Sequence, residues 1–122
     1  MIELDTTPEE TTAEPIQAPK KTETNKAGMI DAIRSHNYVF FSDPGHGWLE
    51  VPYEFIRYMN IGGTISKYSY FNDGKVYLEE DCDAGCYMVA FQRITGLSFV
   101  KSANYRSEHQ ENTPIRGYAR FK

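Results

Sequence analysis

A small α+β domain is the fold this sequence predicts: a mostly antiparallel sheet of three hairpin-like strand pairs, with two or three short helices packed on one side. Three observations predict it. Two β-rich runs flank the dipeptide Asp73-Gly74, the strongest short hairpin signal a chain can carry. An apolar stripe at helical spacing, Ala84, Tyr87, Met88, Phe91 and Ile94, ends at Gly96. Strand-like and helical stretches then alternate from residue 25 to the end, over a length that suits one domain.

The elements follow in order. No Phe, Tyr or Trp precedes Tyr38, and residues 1–27 are rich in Thr, Glu, Pro and Lys. Such a segment buries too little apolar area to offset about 1–2 kcal/mol per residue of ordering entropy, so a disordered acidic tail is expected there and a globular domain over 28–122. Asn25 to His36 reads as a short helix with Met29, Ile30 and Ile33 on one face. Asn37 to Ser42 is a β-rich run, and Asp43-Pro44-Gly45 is a turn that returns the chain into a strand from Trp48 to Val51. Pro52 opens a second helix carrying Phe55, Ile56 and Met59, stopped by Gly62-Gly63. Thr64 to Phe71 and Lys75 to Glu80 form the second hairpin, and Asp81 or Asp83 is placed to cap the helix Ala84 to Thr95. Leu97 to Tyr105 and Ile115 to Phe121 form the third strand pair, joined by a polar loop.

Charge narrows the function classes. The tail carries six acids against three lysines, leaving the rest of the chain close to neutral. A mimic of the nucleic-acid backbone needs far more negative charge. There is no basic start followed by an apolar run, and no stretch of membrane-spanning length, so a soluble intracellular protein is expected, with no membrane partner. Two cysteines suggest free thiols.

Candidate chemistry concentrates between Ser42 and Asp83. Ser42, Asp43 and His46 suggest a hydrolase, but three triad members crowded into one turn rarely reach working geometry, and Asp before Pro-Gly is an ordinary turn initiator. Cys82 and Cys86, with His46 or His109, suggest a four-ligand zinc site, but the spacing is not that of a knuckle and no second cysteine pair exists. The acids Glu79, Glu80, Asp81 and Asp83 lack the pattern of a calcium loop and are read as helix-capping and dipole-complementing groups. No catalytic residue, metal or cofactor is assigned. The alternation of Arg116, Tyr118, Arg120 and Lys122 against Ile115, Ala119 and Phe121 would give a basic, aromatic strand face for nucleic acid; a solvated outer face is its competitor. The aromatic residues remain. Trp48, Tyr68, Tyr70 and Tyr77, with Asp43 and His46 of the turn, are the expected protein-binding surface, because Tyr and Trp supply large amphipathic contact areas.

The strings SDPGHGWLEV, ISKYSY, VYLEEDCDA and RGYARF, in that order from Tyr38 to Phe121, resemble a family of small uncharacterised proteins of bacteriophages, prophages and plasmids. The tail is not part of that pattern. The resemblance implies a mobile-element accessory protein acting in the host cytoplasm on a host or viral macromolecule, and it transfers no catalytic residue. The expectation is therefore a non-enzymatic binding module for a host or viral protein, with nucleic-acid binding through the C-terminal strand as the alternative.

Overall fold

The computed structural model describes the backbone from Pro19 and side chains from Lys26 to Lys122. The chain divides into two compact units, one up to Ala32 and one from Ile33 to Lys122. The first contributes most of α1, Pro19–Ser35, which starts six residues before the expected helix and inside the segment read as tail. The remainder of that tail, residues 1–18, lies outside the described residues.

The second unit is α+β, as expected. Its six-stranded sheet has the order β5-β1-β2-β4-β3-β6, with β1 at Asn37–Ser42, β2 at Gly47–Pro52, β3 at Tyr70–Asn72, β4 at Lys75–Glu79, β5 at Asn104–His109 and β6 at Ala119–Arg120. The first two hairpins form where the turn chemistry put them: β1 pairs antiparallel with β2, and β3 with β4. Asp73 and Gly74 both have positive φ, 51° and 77°, the backbone a tight two-residue hairpin demands. The third pair does not form. β5 lies parallel to β1 at one edge and β6 antiparallel to β3 at the other, so the last two strands bound the whole sheet.

Strand alternation gives the sheet two apolar faces. On the first, Leu49 and Val51 of β2 face the same side as Leu78 and Val76, their register partners on β4. These four are almost fully buried. Tyr38 projects to this side too, its ring edge-on to Tyr87, Phe91 and Phe99, and its hydroxyl 2.6 Å from that of Tyr87. The helices supply this layer: α2 (Tyr53–Met59) buries Phe55, Ile56 and Met59, and α3 (Asp83–Thr95) buries Ala84, Tyr87, Ala90 and Phe91. Asn60, at φ 58°, ends α2 before the two glycines are reached, and Gly96, at φ 78°, ends α3 as expected. Ser98 caps a one-turn helix α4, Phe99–Ser102, in place of the strand expected there.

The second face carries Phe41, Trp48, Tyr70 and Tyr77. Its cover is the connection from β5 to β6. Five inter-strand spacings amount to about 24 Å, and the ten steps from His109 to Ala119 reach at most about 33–36 Å. The strap must therefore cross the sheet with little slack. It is tied at intervals: Gln110 N–H donates to Ser42 C=O, Thr113 Oγ1 accepts from Ile115 N–H, and Phe121 N–H donates to Ser69 C=O. Midway, a single 3-10 turn at Pro114–Gly117 drops Ile115 among Trp48, Tyr70 and Tyr77, with Phe41 and Tyr118 packed at the margin. Ile115 is 2% exposed.

Candidate functional site

The turn Asp43–Gly47 is built around one carboxylate. Asp43 Oδ1 accepts the N–H groups of Gly45 at 2.9 Å and His46 at 2.8 Å, while Asp43 N–H donates to His46 C=O. The Asp43 side chain also meets the strap in a two-pronged ion pair, Arg116 Nε on Oδ2 and Nη2 on Oδ1 at 3.0 Å. Arg116 holds the Asp43 carboxyl well below the usual carboxylate range, helped by the two backbone N–H groups and opposed by burial; the pair raises Arg116 in turn. The Arg116 guanidinium lies 5.4 Å from the Trp48 ring. A Cβ on Gly45 would sit 3.1 Å from Arg116 Nη2, and one on Gly47 would run into the Phe40 ring and Glu80, so the glycines admit the strap on one side and the core on the other.

Beyond the turn, the strap leaves a cleft of about 410 Å³. Trp48 of β2, Glu79 of β4 and Tyr70 of β3 line it from the sheet, Arg116 and Arg120 from the strap and β6, and Asp81 and Cys82 from the segment after β4. His46 and Tyr68 also line it, both exposed. Tyr68 is 56% exposed. Its loop is fixed from beneath by Asp83, 1% exposed, whose Oδ2 accepts from Ser66 N–H at 3.0 Å, Ser66 Oγ at 2.6 Å and Ser69 Oγ at 2.5 Å. Asp83 is thus occupied by the loop and not by a helix cap; the N-cap of α3 is Cys82, without a side-chain cap. Glu79, read as a capping or dipole group, is 8% exposed, and its Oε2 accepts from Asp81 N–H at 3.1 Å.

The structure redistributes the sequence candidates. Trp48, Tyr70 and Tyr77, expected on an outward binding face, are 2%, 8% and 6% exposed, because the strap covers the sheet face that bears them. Tyr77 is further held by donation to Glu50 Oε2 at 2.9 Å, and burial, with that carboxylate adding, raises its hydroxyl above the ordinary tyrosine range. Asp43 is a buried structural acid. His46 and Tyr68 alone of that group are exposed. The alternative basic face is dispersed. Arg116 belongs to the 3-10 turn, Tyr118 packs on Tyr77 with ring centres 5.2 Å apart, and Lys122 Nζ donates to Gly63 C=O. Arg120 sits 4.8 Å from the Tyr70 ring and donates to Lys67 C=O.

The hydrolase grouping separates as well. Ser42 Oγ lies 3.0 Å from His109 Nδ1, and His109 Nε2 lies 3.4 Å from Glu111, a chain of contacts across β1 and β5 that stands open to solvent, with the His109 and Glu111 side chains 54% and 79% exposed. Cys82 is exposed and Cys86 half-buried, and no cluster of three metal-ligating side chains occurs among the described residues. No helix among them is long and apolar enough to cross a membrane. Comparison with protein-family models, curated proteins and solved structures finds no match.

Proposed function

We propose that the protein is a non-enzymatic binding module of a mobile genetic element, acting in the host cytoplasm on a host or viral protein through the cleft beside the Asp43–Gly47 turn. The observation that carries this reading is the exposed Tyr68 at the edge of an aromatic cleft, on a loop tied to the buried Asp83 carboxylate through Ser66 and Ser69. A tyrosine so placed offers contact area at little entropic cost, the usual character of an interface anchor. The strings from SDPGHGWLEV to RGYARF support the mobile-element context. The nucleic-acid alternative loses support, since Arg116 and Lys122 are committed to intramolecular contacts and Arg120 to a backbone carbonyl and a ring.

The test is partner capture from a host lysate by the wild-type chain and by a His46→Ala, Tyr68→Ala pair. Both residues are exposed, so the variant keeps the core. Loss of the same bands from the folded variant supports the cleft as the contact surface. Identical partner lists overturn it.

A further inference from the structure

We infer that the cleft receives a cationic side chain, a lysine or arginine presented by the partner protein, with Glu79 as its counter-ion. The inference rests on the proposed binding role of this cleft and specifies the chemistry it recognises. Glu79 lines the cleft yet is more than nine-tenths buried. Oε2 has the Asp81 N–H, but among the described residues no donor meets Oε1. A largely buried carboxylate with one donor from the protein keeps acceptor capacity at the wall of the cleft, which an incoming N–H group would fill.

The surrounding charges favour a cation over a neutral donor. Asp81 adds a second, exposed carboxylate to the lining. Arg116 is neutralised by Asp43. Arg120 alone brings uncompensated positive charge to the strap side, and its guanidinium is turned to the Tyr70 ring and the Lys67 carbonyl. Arg116 and Arg120 already lie over the Trp48 and Tyr70 rings. The guest's charge is therefore met by Glu79, while its methylene stem lies against the apolar side of Tyr68.

The test uses capped amino acids as probes on the full chain: the N-acetyl amides of arginine, lysine, citrulline and glutamate. The readout is the indole N–H signal of Trp48, which is unique because the chain has one tryptophan. The expected result is a saturating shift with the arginine or lysine probe, with citrulline, the neutral isostere of arginine, weaker by about tenfold or more. Glu79→Gln should weaken the cationic probes by about the same factor, and Arg120→Gln should strengthen them. Equal binding of citrulline, preference for glutamate, or an unchanged affinity in a folded Glu79→Gln variant overturns the inference. Should Glu79→Gln not fold, the wild-type comparison of arginine with citrulline decides alone. Partner capture that still depends on Tyr68 while no probe discriminates charge removes the cation and leaves the binding role. Charge-selective probe binding with no Tyr68-dependent capture removes the binding role instead.

Discussion

Replacing Ile115 by alanine removes the one aliphatic side chain that the strap buries among Trp48, Tyr70 and Tyr77. Three carbons leave a site that is 2% exposed. At about 0.8 kcal/mol per buried methylene, the transfer loss is about 2.4 kcal/mol. A residual cavity adds about 1 kcal/mol if the strap does not settle, for a total of roughly 3 kcal/mol, within the range of about 2–5 kcal/mol for such truncations. With an unfolding entropy of about 2.1 cal/mol/K per residue over the unit from Ile33 to Lys122, that loss lowers Tm by about 16 °C. The assay is urea denaturation followed both by far-UV circular dichroism and by Trp48 emission. Because Trp48 lies directly beneath the strap, its emission should shift to the red in Ile115→Ala at urea concentrations where the helices remain intact. A loss below about 1 kcal/mol, with emission unchanged from wild type, would refute the argument that Ile115 pins the strap.

Other consequences follow from the same contacts. Asp83→Asn weakens three hydrogen bonds to a buried charge and should cost about 2–4 kcal/mol, with faster amide exchange at Ser66 and Ser69 as the local signature. Asp43 has its folded pKa depressed by Arg116, so its stabilisation is fully present above the unfolded carboxylate value and is lost progressively as pH falls from there through the depressed folded value. Asp43→Asn should therefore flatten the acid limb of a stability–pH curve and leave the alkaline limb unchanged. Burial raises the hydroxyls of Tyr38, Tyr77 and Tyr87. Their stabilisation is intact below the unfolded tyrosine value, about pH 10, and is lost above it, so ultraviolet titration should show three of the nine tyrosines ionising only with unfolding. Gly74→Ala strains a residue at φ 77° with open space around it, so a loss of about 1 kcal/mol from backbone conformation alone should appear in denaturant midpoints.

What the sequence discloses is what short-range chemistry encodes. Asp73-Gly74 fixes its hairpin because few residues accept two successive positive φ angles. Gly96 stops α3 for the same reason, and the stripe of Ala84, Tyr87 and Phe91 buries as its spacing requires. Long-range partners leave no such trace. Arg116 looks like a free strand cation until Asp43, 73 residues away, is seen to hold it. The alternation from Ile115 to Phe121 mimics a strand, but Pro114 starts a 3-10 turn and only Ala119–Arg120 pairs. For the burial of Trp48 a local signal does exist. The run Trp48-Leu49-Glu50-Val51 has apolar residues at positions of opposite parity, the mark of a strand covered on both sides. That signal implies a second cover, which among the described residues the strap provides.

The proposed recognition at Tyr68 and the cleft beside it, as opposed to the helical side, is open to direct measurement. A photo-crosslinking residue placed at position 68, compared with one at position 89, where Val89 is 72% exposed on α3, measures this in the cell. The expected result is a discrete protein adduct from position 68 and none from position 89. An adduct from position 89 alone, or none from either, would contradict it.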